Sequence, residues 1–539
     1  MILLVGLLFY LLRVHVHTLG DGYQRVYQVE KGYLHNPPEP LDFFLHSILY
    51  MGLNPLFGIE AETIYTSLSI IFGILFVIGI YLFKFPESIN KSSGSLVKML
   101  ILSLGGIQIF FGYVESYSLL YPATLLFILY AYRYLLIKSG LIITTILFVL
   151  AISSHQLGYI LLPAFCYLLY FNLRIVKPSN KSEKILPIII SLIVLMTLIG
   201  FYINQSLKFP QYQTSISDML LPFYSASEYS IISFAHIIDI FNEILLIAPM
   251  IIILVPLFIK YKTTEISKKQ IKYFFYLMIG PSILFICLFD PKLGMARDWD
   301  LFSTPMAIVG LVVILLSLER KHFNTMSKYA KTSLIFGTLF FVAVWIFMNS
   351  SESRQLIRAE KLLEVSSKNR SYSLELIAHH YWQILDDKEK ALEFYYRIDE
   401  ENRSARICQK ITQLEYKLKH YRKAIKSAYL GISKDDKMID LYVLCGASYQ
   451  KLKIYPKALE YLLKARKLKP KHSYTYSYLG NTYLKMDSLG KALESHKMSA
   501  QLDPNSATNF FNTAYIFIEM KVFDSAQLYV NAGLKIDPK

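Results

Sequence analysis

YVLCGASYQKLKIYPKALEYLLKARKLKP, residues 442–470, sets the organisation of the second part of this chain, because it recurs. Its markers are Tyr442, Gly446, Tyr449, Tyr455, Ala458, Ala465 and Pro470. Adding 34 to each gives Tyr476, Gly480, Tyr483, Leu489, Ala492, Ser499 and Pro504, and adding 34 again gives Phe510, Ala514, Phe517, Phe523, Ala526, Gly533 and Pro538. Going back 34 finds Cys408, Thr412, Glu415, Tyr421, Ala424, Gly431 and Asp436, and a looser copy surrounds Trp382, Ala391 and Tyr395. A fixed period of this size means one supersecondary unit stacked on its neighbours. Small residues at fixed places let paired helices approach closely, aromatics fill between them, and proline ends the second helix.

This spacing resembles the tetratricopeptide repeat (TPR), and residues 372–539 read as about five such repeats. Arrays of this kind form a concave groove that takes extended peptides or other protein partners. Tyr474, Ser477, Asn481, Lys485, Phe511 and Tyr515 would lie on the groove-facing side of the first helices, where core and solvated positions are equally compatible readings.

Upstream the composition changes. Hydrophobic residues make up 54% of the 539-residue chain, too many for an average soluble protein, and they are bunched before Ser350. The expected fold class is therefore all-α: a polytopic transmembrane domain over 1–349, a linker helix over 350–371 and the array. A helix needs about 20 apolar residues to cross a bilayer. Candidates lie near 62–83, 97–113, 117–136, 140–153, 158–171, 185–203, 242–259, 273–289, 303–318 and 332–348. With the apolar N-terminal segment, which alone reaches only ~18 Å, they make about eleven spans. Residues 41–57 read as an interfacial amphipathic helix. Residues 140–171 read as two spans, because Ser153, Ser154, His155 and Gln156 fall at their centre.

The formal charge is +16. Much of the excess sits in short loops between apolar segments, at Lys84, Lys91 and Lys98, at Arg133 and Lys138, at 174–184, at 260–272 and at 320–331. The positive-inside rule accounts for that placement better than nucleic acid does, so no nucleic acid partner is expected. Eleven spans with a cytoplasmic N-terminus put these loops in the cytoplasm and the array in the periplasm, which fits a bacterial inner membrane. Cys166, Cys287, Cys408 and Cys445 are scattered and form no disulfide or zinc pattern.

The opposite face then collects Leu19-Gly20-Asp21-Gly22-Tyr23, Pro38-Glu39-Pro40-Leu41-Asp42, Gly112-Tyr113-Val114-Glu115-Ser116-Tyr117, Ser154-His155-Gln156 and the run from Asp290 through Lys292, Arg297 and Asp298 to Asp300. Each has a bland reading. Asp21 suits a turn between two glycines, Glu115 a solvated helix end, His155 a satisfied core imidazole, and Arg297 with its aspartates an ion-pair network. Their joint placement on one face is the stronger signal, because ionisable groups at membrane depth are costly and usually functional. A carboxylate there can act as general base for an acceptor hydroxyl. An arginine can hold a phosphate leaving group through charge-assisted hydrogen bonds.

LGDGYQRV at 19–26, the following helix with NPPEPL, and the strings FGYVESY and GMARDWDLF resemble polytopic glycosyltransferases of the GT-C fold, protein O-mannosyltransferases among them. The resemblance covers most of 1–349 in architecture. It implies a glycosyltransferase that takes sugar from a polyprenyl-phosphate donor, with membrane lipids around it and a protein Ser/Thr, lipid or polysaccharide as acceptor. It assigns Asp21 as catalytic base and Glu115 as the second acidic position. Arg297 then falls to the donor phosphate, with Asp298, Asp300, His155 and Lys292 around donor or acceptor. No cofactor is fixed; a divalent cation, Mg or Mn, is compatible with the acidic residues, although Asp-Gly stands where a paired acidic motif is usual. The reading from a different class is a membrane-anchored TPR scaffold without catalysis. A transporter fits less well, since no matching pair of broken helices marks two halves.

Overall fold

The computed structural model describes residues 2–17, 22–174, 181–208, 219–225, 229–260, 269–292, 294–365 and 370–537. Leu19, Gly20, Asp21 and Pro538, named above, lie outside them, as do parts of the 174–184 and 260–272 basic loops. Among the described residues the regular elements are helices, with one isolated antiparallel bridge between Leu220 and Phe289. The chain divides into two compact units, Met1–Asn369 and Arg370–Lys539.

The first unit runs α1 (Ile2–Leu11), α2 (Gly22–Glu30), α3 (Pro40–Phe57), α4 (Ala61–Leu82), α5 (Lys91–Leu102), α6 (Leu120–Ile137), α7 (Leu141–Ser154) and α8 (Leu162–Arg174). It continues through α9 (Lys181–Lys208), α10 (Phe234–Ile247), α11 (Met250–Lys260), α12 (Lys269–Leu288), α13 (Trp299–Glu319), α14 (His322–Thr325), α15 (Lys328–Asn349) and α16 (Glu352–Val365). Its core is built on α6 and α13, which bury most of their side chains. The outer helices α9 and α15 do the opposite. They expose Leu192, Ile193, Met196, Phe336, Phe340 and Phe347, with Met196 67% exposed and Phe340 equally so. Apolar faces of this kind mark surfaces that meet lipid or another protein.

Each of the expected apolar segments is helical, yet the count of eleven spans is not reached by length and composition. Among the described residues seven helical segments are long and apolar enough to cross a bilayer, and an eighth arises if α10 and α11 count as one. The reasons are local. Segment 97–113 divides into α5 and a 3-10 turn, Gly105–Phe110, at Gly105, where a Cβ would sit 1.8 Å from the Leu246 carbonyl oxygen. Segment 242–259 bends by 100° between α10 and α11, at Pro249, which has no N–H to continue the ladder. α1 and α7 are shorter apolar helices. The break at 154–156 is real: α7 stops at Ser154, and a 3-10 turn, Gln156–Leu161, leads into α8. α3 buries one face, with Asp42, Phe43, His46 and Ser47, and exposes Met51, Leu56 and Phe57 on the rest.

The two ends of the bundle differ. At one end the acidic segments meet: Val14 N–H donates to Phe111 O (2.8 Å), Gln156 N–H to Pro38 O (2.8 Å) and Asp290 N–H to Met219 O (2.9 Å). At the other end lie the basic segments 84–98, 133–138 and 320–331, where Ser93 Oγ donates to Asn324 (3.0 Å) and Tyr134 OH to Asn172 (3.0 Å).

The second unit is five helix pairs: α17 (Arg370–Gln383) with α18 (Lys388–Tyr396), α19 (Ala405–Lys417) with α20 (Tyr421–Lys434), α21 (Ile439–Lys451) with α22 (Tyr455–Leu468), α23 (Ser473–Lys485) with α24 (Leu489–Leu502), and α25 (Ala507–Glu519) with α26 (Phe523–Ile536). Four of the turns inside these pairs are alike. The N–H groups of His420, Ile454, Ser488 and Val522 reach back to the carbonyls of Glu415, Tyr449, Tyr483 and Phe517, the long bond of a Schellman cap. The left-handed residue of each cap is Lys419, Lys453, Asp487 or Lys521, spaced by 34. Within a pair the expected close approaches occur: a Cβ on Gly446 would meet Leu462 Cγ at 2.6 Å, and one on Gly480 would meet His496 Nε2 at 2.5 Å.

Candidate functional site

The acidic end of the first unit buries an unusual number of ionisable groups. Glu115, in the loop between the 105–110 turn and α6, is 4% exposed, and Arg297 and Asp300 are 2% and 4% exposed. Asp300 lies in the first turn of α13, where a carboxylate suits the positive end of the helix dipole. Its Oδ1 accepts from Leu301 N–H at 3.0 Å, and its Oδ2 accepts from Tyr113 OH at 3.4 Å. Tyr113 packs on Trp299 with ring centroids 5.2 Å apart, and Trp299 meets Trp345 of α15 edge-on at 5.3 Å. Burial, followed by the charges of Asp300 and Glu115, pushes the Tyr113 and Tyr117 hydroxyls well above the ordinary phenol range. Both carboxylates therefore act on the same short loop.

Arg25 and Glu39 form an ion pair of 2.5 Å, with Glu39 almost fully buried. Tyr117 feels both of these charges as well, so α2, the 31–39 segment and the 112–119 loop share one electrostatic neighbourhood. Gly22, which opens α2, sits against this loop: a Cβ there would lie 2.8 Å from Val114 O. His155 stacks loosely on Tyr117 at 5.0 Å. Its Nδ1 accepts from Leu157 N–H at 2.9 Å, which leaves the proton on Nε2. Burial first, and then Arg25, pushes its pKa down to about 3. His155 thus presents its Nε2–H as a donor.

Arg297 is held at a loop by its own N–H to Gly294 O (2.9 Å); burial lowers its pKa and the charge of Asp298 opposes that fall. Asp298 is the half-buried N-cap residue of α13. Lys292 stands apart in character: it is exposed and ion-paired with Asp290 at 3.0 Å. Among the described residues no three His, Cys, Asp or Glu side chains gather as a metal ion would require.

Sequence reasoning named Glu39 and Asp42 without giving them a part, and it missed Arg25, His46, Glu243 and Arg358. His46 Nδ1 lies 2.7 Å from Asp42 O and 3.3 Å from Asp42 Oδ2, and its ring stacks on Tyr65 at 3.8 Å. Glu243, 2% exposed, is a carboxylate inside an apolar run, which is a legible signal. Arg358 lies in α16, beyond the last apolar segment, where nothing local marks it.

In the array, Tyr474, Lys485 and Tyr515 are exposed, and Ser477 and Asn481 are half-buried on α23. Phe511 has a packing role: its ring edge lies where a Cβ on Gly533 would be, at 2.5 Å.

No protein-family model and no curated protein matches the chain. Solved structures do, at low similarity. MamA is 18% identical, with a TM-score of 0.27, over 29% of this chain and 92% of its own. A MamA fragment from Desulfovibrio magneticus RS-1 is 16% identical, with a TM-score of 0.30, over 32% of this chain and 98% of its own. A thermophilic TPR protein of Thermus thermophilus is 17% identical, with a TM-score of 0.28, over 31% of this chain and 92% of its own. The second unit is a TPR-like array on its own repeat, caps and helix pairing; these likenesses are to proteins of that kind.

Proposed function

We propose that the first unit is a membrane-embedded glycosyltransferase that takes its sugar from a polyprenyl-phosphate donor, and that the array holds a protein acceptor or partner. One observation carries the catalytic reading: Glu39, Glu115, Glu243, Arg297 and Asp300 are each under 5% exposed, come from well-separated segments, and converge at one end of an apolar bundle. Ionisable groups buried in an apolar bundle are rare and usually functional, and an anchor does not call for them. A site for a charged lipid-linked donor needs these residue types. The outward apolar faces of α9 and α15 and the seven long apolar segments support a membrane setting.

In this reading the acceptor hydroxyl oxygen attacks the anomeric carbon, a carboxylate takes its proton, and the bond to the phosphate oxygen breaks. Negative charge grows on the leaving phosphate, and the Arg297 guanidinium favours that transition state. Asp21, next to Gly22, is the base by resemblance, and Glu115 is the second carboxylate. Buried Arg297 and Asp300 leave little room for bulk water, which strengthens each charge interaction. The site end faces the periplasm if the basic loops are cytoplasmic.

The array favours a second reading, a membrane-anchored TPR scaffold for envelope proteins. Sugar transfer by the full chain, assayed over a panel of polyprenyl-phosphate sugars beside Asp21→Asn, separates the two. Transfer by the wild type and loss in a folded variant supports the enzyme; equal inactivity across the panel leaves the scaffold.

A further inference from the structure

By sequence, the segment between the last long apolar helix and the array reads as a linker. In the structure α16 is instead fastened to the first unit at two points. Gln355, 3% exposed, uses its Oε1 to accept from the N–H groups of His15 (3.2 Å) and Val16 (3.0 Å), and its Nε2 donates to Val16 O at 3.4 Å. A non-helical strand thus has its backbone groups satisfied by one distant side chain, which a buried backbone must achieve somehow. One turn further on, the Arg358 guanidinium stacks over Trp345 at 4.0 Å and donates to Asn349 Oδ1 at 3.1 Å. Leu356, Ala359 and Leu363 continue the same buried face.

Both fastenings lead to the site. Val16 is followed by His17, whose Cβ lies 2.9 Å from where a Cβ on Gly22 would stand, and Gly22 sits against Val114. Arg358 rests on Trp345, which meets Trp299, which packs on Tyr113, whose hydroxyl donates to Asp300. Arg358 also acts electrostatically on Tyr113 and Glu243 and, although burial brings its pKa down to about 10, stays protonated at neutral pH.

We infer that α16 is part of the site's architecture, and that Gln355 and Arg358 are positioning residues: Gln355 fixes the His15–Val16 backbone that leads to His17 beside Gly22, and Arg358 braces the aromatic stack behind Asp300. This rests on the transferase reading for its catalytic consequence, but the fastening can be tested without it.

The test uses the full chain in lipid nanodiscs, as wild type, Gln355→Leu and Gln355→Glu. Leucine removes all three bonds, whereas glutamate keeps the two that Oε1 accepts and loses the one that Nε2 donates to Val16 O. Amide hydrogen exchange at His15 and Val16 is expected to quicken at least about tenfold in Gln355→Leu, to stay slow in Gln355→Glu, and to be unchanged in α13 of either. Transfer in Gln355→Leu is expected to lose roughly 10- to 100-fold in kcat, with KM for the donor little altered, and glutamate restores most of it. Arg358→Met is expected to lower kcat and shift the Trp345 emission, and Arg358→Lys to recover part of both. Unchanged exchange at His15 and Val16 in Gln355→Leu overturns the fastening. Quickened exchange with wild-type kcat overturns the positioning role. An inactive wild type defeats the transferase reading by itself, and the exchange comparison then decides the fastening alone.

Discussion

Gly446→Ala sets two physical effects against each other at one position of the array. Gly446 lies inside α21, where alanine is favoured over glycine by about 1 kcal/mol on helix propensity alone. The new Cβ, however, would stand 2.6 Å from Leu462 Cγ, 2.9 Å from Leu462 Cδ2 and 3.2 Å from the Ala458 carbonyl oxygen. Leu462 is fully buried and has no open space to swing into, and the Ala458 oxygen belongs to the α22 backbone. Overpacking of this kind costs ~1–3 kcal/mol. The balance is a loss of about 1 kcal/mol, which quickens amide exchange in α21 and α22 by roughly fivefold. Gly490→Ala is the control, because nothing lies within 4 Å of its added Cβ; there the expected change is a gain of ~0.5 kcal/mol. Exchange in α21 that is equal or slower in Gly446→Ala refutes the close helix approach on which the repeat assignment rests.

Other substitutions test other parts. Lys453→Gly relieves a left-handed residue at φ 61° and is expected to stabilise its cap by about 0.5 kcal/mol in thermal unfolding, the larger entropy of unfolded glycine offsetting the rest. His379 and His496 are each pushed by burial to about 4, below the ordinary imidazole value of 6.5. Stability from keeping them neutral is present above pH 6.5 and lost as pH falls towards 4, because the unfolded chain takes up those protons first. Melting of the array is thus expected to drop between about pH 7 and about pH 4.5, and by less in the His379→Gln/His496→Gln double variant; identical drops would refute the effect. Lys292→Ala is expected to leave transfer within about twofold, since an exposed ion pair contributes little; a large loss would bring Lys292 into the donor site.

What the sequence disclosed follows from how far its signals reach. The 34-residue period is local and repeated, so each pair, its small residues and its breaks are open to direct reading. The α7–α8 break is legible because Ser153, Ser154, His155 and Gln156 interrupt an apolar run. The meeting of the 112–117, 155–156 and 290–300 segments at one end is legible from the alternation of charge along the chain. Span lengths are less so: the bends at Gly105 and Pro249 come from close approach and a missing N–H, and hydropathy does not register either. Pairing is not legible at all. Gln355 and Val16 are 339 residues apart, and no periodicity connects them. Phe511 fits a groove face by spacing, but it fills the gap left by Gly533, a fact that depends on the partner helix.

Whether the buried charges at the acidic end do chemistry is the question on which everything else turns. Release of polyprenyl phosphate from its sugar-linked form, with transfer of the sugar, would be followed for the full chain in nanodiscs beside Glu115→Gln and Arg297→Ala, each with its melting temperature matched to the wild type. The expected result is turnover by the wild type and a loss of about 100-fold or more in each variant. Turnover that survives both substitutions would contradict a catalytic role for these charges.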